Sequence, residues 1–541
     1  MSGARFRRLR RNLGEGAGAL ARRAAAPFAL PHGRPFWLRL RLEAPVPERA
    51  RPGGFPGRPS APPLFAHLEA LAAAAVDPRV EGVLLRLRGA PVSLASGAAL
   101  RRALAGVRAA GKPVVVYAER LGSESLYLAS AATRVFVPEA GSVALLGLRL
   151  ETFFVRDLLD RLGVRADVLR VGEFKSAAEG LVRRGMSEAQ REQLEALAED
   201  LYAVLVEGIA EGRGLAPERV RALVDAGPHR PRAACEAGLV DGCLFPDEAE
   251  VELARLAGRP PAAGAEPDLA VVDLPAYHAL RARSGVLRGP LADAPRLAYV
   301  VASGPIRSGG GSAGVASDAY RLLLRGLERD EAVRAVVLRI ESPGGDALAS
   351  DLLWRSVRRL AAAKPVVASM GDVAASGGYY VAAGAHAIHA EAATLTGSIG
   401  VVGGKLDLEE LYRRVGIAQE GVERGARAGL LSPARPLTPD ERSALRGELR
   451  SVYELFLDRV AEGRGLSREA VHGVARGRVW SGRRALDAKL VDALGGPLEA
   501  LADARRRAGL AEGALVRVDV WPRGAALAGV AAWLVGRLAP G

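Results

Sequence analysis

Residues 296–303, RLAYVVAS, 332–340, AVRAVVLRI, and 365–370, PVVASM, are nearly continuous apolar runs. Runs this short and this uniformly apolar predict strands buried on both faces of a sheet. Between 346 and 360 the spacing changes: Leu348, Leu352, Leu353, Val357 and Leu360 share one face of a helix, and Lys364-Pro365 interrupts it before the next strand. A glycine turn at 400–404 followed by a broad apolar face at Leu408, Leu411, Tyr412 and Val415 predicts one more helix. Strand-helix-strand order with buried strands is the pattern of parallel α/β units with surrounding helices.

The same pattern occurs twice. VLLRLRGAPVS at 83–93 matches VVLRIESPGGD at 336–346, since 83 + 253 = 336, and the same offset carries Tyr127 to Tyr380, Gly147 to Gly400 and Gly163 to Gly416. Farther on, GLVDG at 238–242 resembles KLVDA at 489–493 at an offset of 251. Two diverged copies of one unit follow, the first spanning 35–255 and the second 296–510. A basic N-terminal segment, 1–34, precedes them, a Gly/Pro-containing linker, 256–295, joins them, and an extension, 511–541, follows.

Composition narrows the function classes. Of 541 residues 49% are apolar and only 5% aromatic, which predicts Ala/Leu/Val packing in a folded chain. The net charge of +14 is almost all arginine, the lysines being Lys112, Lys175, Lys364, Lys405 and Lys489. This charge is spread along the chain without interleaved aromatic residues, which argues against a nucleic-acid partner. Cys235 and Cys243 are too few for a disulfide framework and lack metal-site spacing, and His386-x-x-His389 has no partner ligands around it, so neither a metal nor a cofactor is expected. The basic run Arg5 to Arg11 and the apolar run Ala526 to Leu538 fall short of the roughly 20 apolar residues that span a bilayer. No transmembrane segment is expected. Peripheral attachment through the basic start is compatible with this, and the location stays open between cytoplasm and membrane surface.

Candidate chemistry lies where apolar strands run into glycines. Ser376, in GDVAASGGYYVAAG at 371–384, follows a predicted strand and precedes Gly377 and Gly378, a setting that exposes a hydroxyl beside free backbone N–H groups. SPGGD at 342–346 supplies a second such turn, where Gly344 and Gly345 let backbone amides approach a substrate; the N–H groups of Gly345 and Gly377 are the expected oxyanion donors. Two purely structural turns are the competing reading.

A serine needs a base, and no Ser-His-Asp order with the usual elbow is present. Lys175, in VGEFKSAAEG at 171–180, is the candidate, because burial can bring a lysine to neutrality near pH 7 and cannot do so for arginine. The copies differ here: 175 + 253 falls on Ala428, and 376 − 253 falls on Ser123, where Glu124 and Ser125 replace the glycines and GAPV replaces SPGG. One complete site is therefore expected between unlike copies. Lys112 and Lys364, in matching GKP and AKP positions, read as structural, and Ser123 as a weaker second nucleophile.

GEFKSAAEG around Lys175, SPGGD at 342–346, ASGGYYVA at 375–382 and TLTGSIG at 394–400, in this order, resemble the long-form signal peptide peptidase A family of serine proteases. The resemblance covers about 35–510. It implies tandem Clp/crotonase-like units, Ser376 as nucleophile, Lys175 as general base and Ser398 as the hydroxyl that orients the lysine. It also implies a homo-oligomer, in known members a tetrameric bowl whose lysine and serine meet across neighbouring protomers. The implied substrates are cleaved signal peptides or other extended hydrophobic peptides. Relatives commonly carry an N-terminal membrane anchor, from which this sequence departs. A crotonase-like acyl-thioester enzyme and a nonenzymatic scaffold are the competing functions.

Overall fold

The computed structural model describes residues 34–49, 61–89, 92–284, 295–311, 313–512, 514 and 516–522. The basic run at 5–11 and the apolar run at 526–538 lie outside the described residues.

The first half contains β1 (Phe36–Leu42), β2 (Val80–Leu87), β3 (Val114–Ala118), β4 (Arg120–Gly122), β5 (Arg134–Val137), β6 (Ser142–Ala144), β7 (Arg165–Val171), β8 (Gly242–Cys243) and β9 (Val271–Asp273). Six of them form a parallel sheet in the order β8-β5-β3-β2-β1-β9. Strand alternation sorts the side chains onto its two faces. Leu38 and Leu40 of β1 join the core beneath helices Leu64–Val76 and Leu94–Ala109, while Trp37 packs on the opposite face with Leu253 of helix Pro246–Leu256. Both faces are covered, which is why these strands read as continuous apolar runs.

The second half contains β10 (Arg296–Ser303), β11 (Ile306–Arg307), β12 (Val315–Ala316), β13 (Val333–Ser342), β14 (Val366–Ala375), β15 (Ala387–Ala390), β16 (Leu395–Gly397), β17 (Val401–Asp407), β18 (Val479–Ser481), β19 (Ala493–Leu494) and β20 (Arg517–Trp521). Its main sheet runs β18-β16-β14-β13-β10-β20, with β15 pairing β14 and β19 at the side. Ala298 and Val300 face one core, and Leu297, Tyr299 and Val301 face another under helix Pro497–Arg507.

Element positions recur between the halves. Helix Ser317–Arg329 begins 253 residues after helix Leu64–Val76 (64 + 253 = 317), β15 begins 253 after β5 (134 + 253 = 387), and helix Gly482–Asp487 begins 251 after helix Pro231–Glu236 (231 + 251 = 482).

Three segments differ from expectation. Residues 401–407 form β17 rather than a glycine turn, because Gly404, at φ 154°, lets the backbone of β7 approach too closely for any side chain. The helix that follows, Glu409–Arg414, is short and buries no residue. The 256–295 segment is more than a linker, since LAVVDL supplies β9, which pairs with β1, and helix Leu274–Ser284 follows it. Likewise the 511–541 extension contributes β20, paired with β10.

The feature that matters most for function joins the two halves. β7 and β17 pair antiparallel over seven residues each, from Val401 opposite Val171 to Asp407 opposite Arg165. Helix Glu188–Arg213 of the first half also meets β18 of the second, where Val479 N–H donates to Gln193 Oε1 at 2.7 Å and Ser481 Oγ donates to Asp200 at 2.6 Å.

Candidate active site

β14 ends at Ala375, and the chain turns at Ser376 into helix Gly377–Ala382. Ser376 has φ 52° and ψ −119°, a conformation that a side-chain-bearing residue holds only when its surroundings impose it. Ser376 N–H donates to Gly397 O at 2.8 Å and Tyr380 N–H donates to Ser376 O at 2.9 Å, so the serine is held from both sides. Its Oγ stands at the N-terminus of the helix, half-buried.

The SPGGD turn packs against it. Gly344, at φ 98°, lies so close that an added Cβ would stand 2.6 Å from Gly377 N and 2.8 Å from Ser376 Cβ. Gly345 is pinned by flanking bonds, Ile306 N–H to Gly344 O at 2.9 Å and Asp346 N–H to Ile306 O at 3.0 Å. Among the described residues neither Gly345 N–H nor Gly377 N–H donates a hydrogen bond. Two open amides beside one hydroxyl make a place where a developing oxyanion is stabilised. Gly378 serves packing: a Cβ there would stand 2.7 Å from Ser342 O.

Lys175 reaches this turn from the other half of the chain. It follows β7 through Gly172-Glu173-Phe174, so the β7–β17 ribbon carries it onto the second half. Phe174 N–H donates to Arg476 O at 3.0 Å, and Arg478 lies over the Phe174 ring at 4.7 Å. The lysine is 5% exposed. Its Nζ is 3.0 Å from Ser376 Oγ, 2.9 Å from Ser398 Oγ and 2.7 Å from Ser398 O. Burial drops its ammonium from the ordinary 10.5 to about 8. No carboxylate among the described residues pairs with it to reverse that shift.

Ser398 shares the unusual backbone of Ser376, with φ 52°. It is fixed by its own N–H donating to Arg478 O at 2.7 Å and by the neighbouring bond from Gly477 N–H to Ile399 O at 2.7 Å. With the lysine neutral, Nζ accepts the Ser376 proton while its own N–H bonds to Ser398 hold it in line.

The family model of peptidase family S49 matches residues 107–259 and again 358–511. This chain belongs to that family. The S49 chain is 35% identical over 445 residues to the chloroplastic serine protease SPPA of Arabidopsis thaliana, an alignment covering 81% of this chain and 64% of that one. It is 30% identical to Protease 4 of Salmonella typhi, over 83% of this chain and 72% of that one, and 30% identical to Protease 4 of Haemophilus influenzae, over 79% and 70%. The S49 chain thus spans just under two thirds of the length of the chloroplastic relative.

Lys175, Ser376 and Ser398, with Gly344, Gly345, Gly377 and Gly378, lie together within one S49 chain. The β7–β17 ribbon brings Lys175 and Ser376 together within one chain, where the family resemblance has them meet across neighbouring protomers. Lys112 and Lys364 tie loops, the first donating to Ala74 O at 2.6 Å and the second to Leu327 O at 2.7 Å. Ser123 Oγ accepts from Leu146 N–H at 3.1 Å, and His389 pairs with Asp503. Among the described residues no cluster of His, Cys, Asp and Glu is placed to hold a metal ion, and no helix is long and apolar enough to cross a membrane.

Sequence reading missed Gly172 and Gly477. At φ 105° and 81° they let the Lys175 turn and the 475–478 loop pass at backbone contact. Their only signal is glycine in the short segments VGEF and ARGR, which says nothing without the fold.

Proposed function

We propose that this chain is a serine endopeptidase that hydrolyses extended, largely hydrophobic peptides, cleaved signal peptides among them. The observation that carries this reading is a buried lysine without a carboxylate partner, 3.0 Å from a serine hydroxyl at a helix N-terminus. Membership of family S49 supports it, as does the similarity to a chloroplastic serine protease and to two Protease 4 chains.

Neutral Lys175 takes the Ser376 proton as Oγ attacks the peptide carbonyl, and the oxyanion is held by the N–H groups of Gly345 and Gly377. The protonated lysine, anchored by Ser398, then gives its proton to the departing amine. A water molecule deprotonated by Lys175 releases the acyl group from Ser376. The recurring element order supports two units of a Clp/crotonase-like class, of which the second carries the nucleophile and the first lends the base. The chains act as a homo-oligomer, a tetramer by resemblance, whose enclosure admits extended chains and excludes folded ones.

The test is hydrolysis of a fluorogenic hydrophobic peptide, with covalent labelling by an acyl-serine reagent. Loss of both in Ser376→Ala, and loss of hydrolysis in folded Lys175→Ala, is the expected result. Undiminished hydrolysis in either variant would overturn the mechanism. Turnover of an acyl thioester without an adduct at Ser376 would favour the crotonase-like alternative.

A further inference from the structure

β13 and β14 lose register just before the active site. Ile340 stands opposite Met370 and Ser342 opposite Ala374, so Glu341 alone faces residues 371–373 of β14. Here β14 leaves β15, its partner at 367–369, and takes up β16 at 373–375, the stretch that delivers Ser376. A bulge of this kind leaves backbone amides outside the ladder. The Glu341 side chain fills the gap: its Oε2 accepts from Asp372 N–H at 2.6 Å and from Val373 N–H at 3.4 Å. Gly371 makes the room, since a Cβ there would overlap Glu341 Oε2.

The main chain of the same residue leads into the other arm of the site. Ser342 follows Glu341 directly and opens the SPGGD turn. Glu341 O accepts from Gly304 N–H at 2.8 Å, at the head of the segment whose Ile306 pins Gly345. Glu341 therefore ties together the strand end under the nucleophile, the turn that carries Gly344 and Gly345, and the segment that clamps that turn.

The half without a nucleophile is built differently at this point. Subtracting 253 places Arg88 at the Glu341 position, Glu119 at the Asp372 position and Ala118 at the Gly371 position (341 − 253, 372 − 253, 371 − 253). Arg88 and Glu119 form an exposed ion pair at 3.4 Å. In the second half an acid stands beside an acid. Asp372 and, from the N-terminal segment, Glu48 press on the Glu341 carboxyl, and the buried Arg339, the cation near them, is itself bonded to Glu48 at 2.6 Å. Burial and those two carboxylates push Glu341 up to about 8, so at neutral pH it stands as an uncharged acid. An acid held at this cost, where the other copy has a surface ion pair, occupies a position that touches both arms of the site.

We propose that Glu341 is a positioning residue for hydrolysis: by bonding the bulge amides of β14 it sets the distance between Ser376 Oγ and the open N–H of Gly345. It touches no substrate and acts through the two strands. The inference rests on the peptidase reading of Ser376 and Lys175. Without the acceptor the 371–373 bulge relaxes and Ser376 shifts against the SPGGD turn, whereas Lys175, held by Ser398 and the 475–478 loop, keeps its place. The loss falls on the transition state, because the oxyanion forms only there.

The test is steady-state hydrolysis of the fluorogenic hydrophobic peptide by full-length Glu341→Ala, Glu341→Gln, Gly371→Ala and the double variant Glu341→Ala/Gly371→Ala, beside the original protein and Ser376→Ala. Rates are counted per chain that an acyl-serine reagent labels, so that a purely structural acid would lower Tm in Glu341→Ala and leave kcat unchanged. Glu341→Ala should lose about 100-fold in kcat with KM and the midpoint of the pH profile unmoved, and Glu341→Gln, which keeps an acceptor of the same length, should recover most of it. Gly371→Ala, whose methyl displaces the carboxyl, should lose as much, and the double variant no more than Glu341→Ala alone. If Glu341→Ala does not fold, Gly371→Ala against Glu341→Gln decides. A kcat near that of the original in Glu341→Ala or Gly371→Ala, an equal loss in Glu341→Gln, or a loss that lies in KM would each overturn the inference. Failure of the peptidase reading shows differently, as hydrolysis that Ser376→Ala leaves undiminished or as none by the original protein, and takes this inference with it.

Discussion

Gly477 lies against the backbone of Lys175, so close that a Cβ on it would stand 2.5 Å from Lys175 N and 2.6 Å from Lys175 Cβ. The residue that positions the base thus comes from the half that carries the nucleophile, 302 positions along the chain (477 − 175). Gly477→Ala adds this clash to an unfavourable φ of 81°. Because a displacement of about 1 Å from the productive geometry costs on the order of 100-fold, kcat/KM should fall by about that factor while both sheets persist by circular dichroism. Unchanged kcat/KM would show that Lys175 does not need this contact.

The pH dependence of hydrolysis should report the buried lysine. With its pKa near 8, about a tenth of Lys175 is neutral at pH 7, so kcat/KM should rise roughly tenfold per pH unit below 8 and level off above it. Ser398→Ala removes an acceptor from the charged form, which favours the neutral one. The midpoint should move to lower pH even as the rate falls about tenfold. A midpoint that moves up would mean that Ser398 acts on the lysine in some other way.

Lys175 also carries a stability signature. Its folded pKa lies below the unfolded value of 10.5, so between pH 8 and 10.5 the unfolded chain binds more protons and stability rises with pH. Below pH 8 the folded state carries the full cost of a buried charge, on the order of 3 kcal/mol. Lys175→Met should abolish hydrolysis, leave Tm at pH 7 equal or higher, and remove the rise in Tm between pH 8 and 10. A Tm that drops by several degrees at pH 7 would show that the lysine's bonds to Ser398 outweigh its desolvation.

Gly344→Ala tests the oxyanion site separately from the base. The added methyl would meet Gly377 N at 2.6 Å and occupy the space before an open amide. Losing one oxyanion donor costs about 100- to 1,000-fold in kcat. The expected result is a loss of that size in kcat with the midpoint of the pH profile still near 8. A shifted midpoint would mean that the methyl had moved Ser376 or Lys175 as well.

Of the residues that the structure brings together, Ser376 with its glycines and Lys175 stand out as candidates in the sequence, because glycine beside serine and lysine in an arginine-rich chain are choices that chemistry explains, whereas Ser398 came from the family resemblance alone. β10, at 296–303, was legible too, since a strand covered on both faces must be apolar throughout. β17 was not. Its sequence, VVGGKLD, looks like a turn because its glycines answer to the backbone of a strand more than 200 residues away. Closure of the dyad within one chain rests on that pairing, so the asymmetry between copies showed that two halves were needed without showing whose halves they were.

Glu341 offers a test of the junction between the halves. Its Oε2 accepts from Asp372 N–H at 2.6 Å, and Asp372 in turn accepts from Ser96 N–H at the start of helix Leu94–Ala109 in the first half. Burial, followed by the charges of Asp372 and Glu48, raises the Glu341 carboxyl to about 8. Its folded pKa lies above its unfolded value of 4.5, so the folded state binds more protons between pH 4.5 and 8, and stability falls as pH rises through that window. Glu341→Gln keeps an acceptor for the Asp372 amide and never ionises. It should flatten the decline in Tm between pH 5 and 8 and leave the variant a few degrees more stable than the original at pH 8.5. If the two proteins lose stability in parallel across that range, Glu341 is not the titrating group.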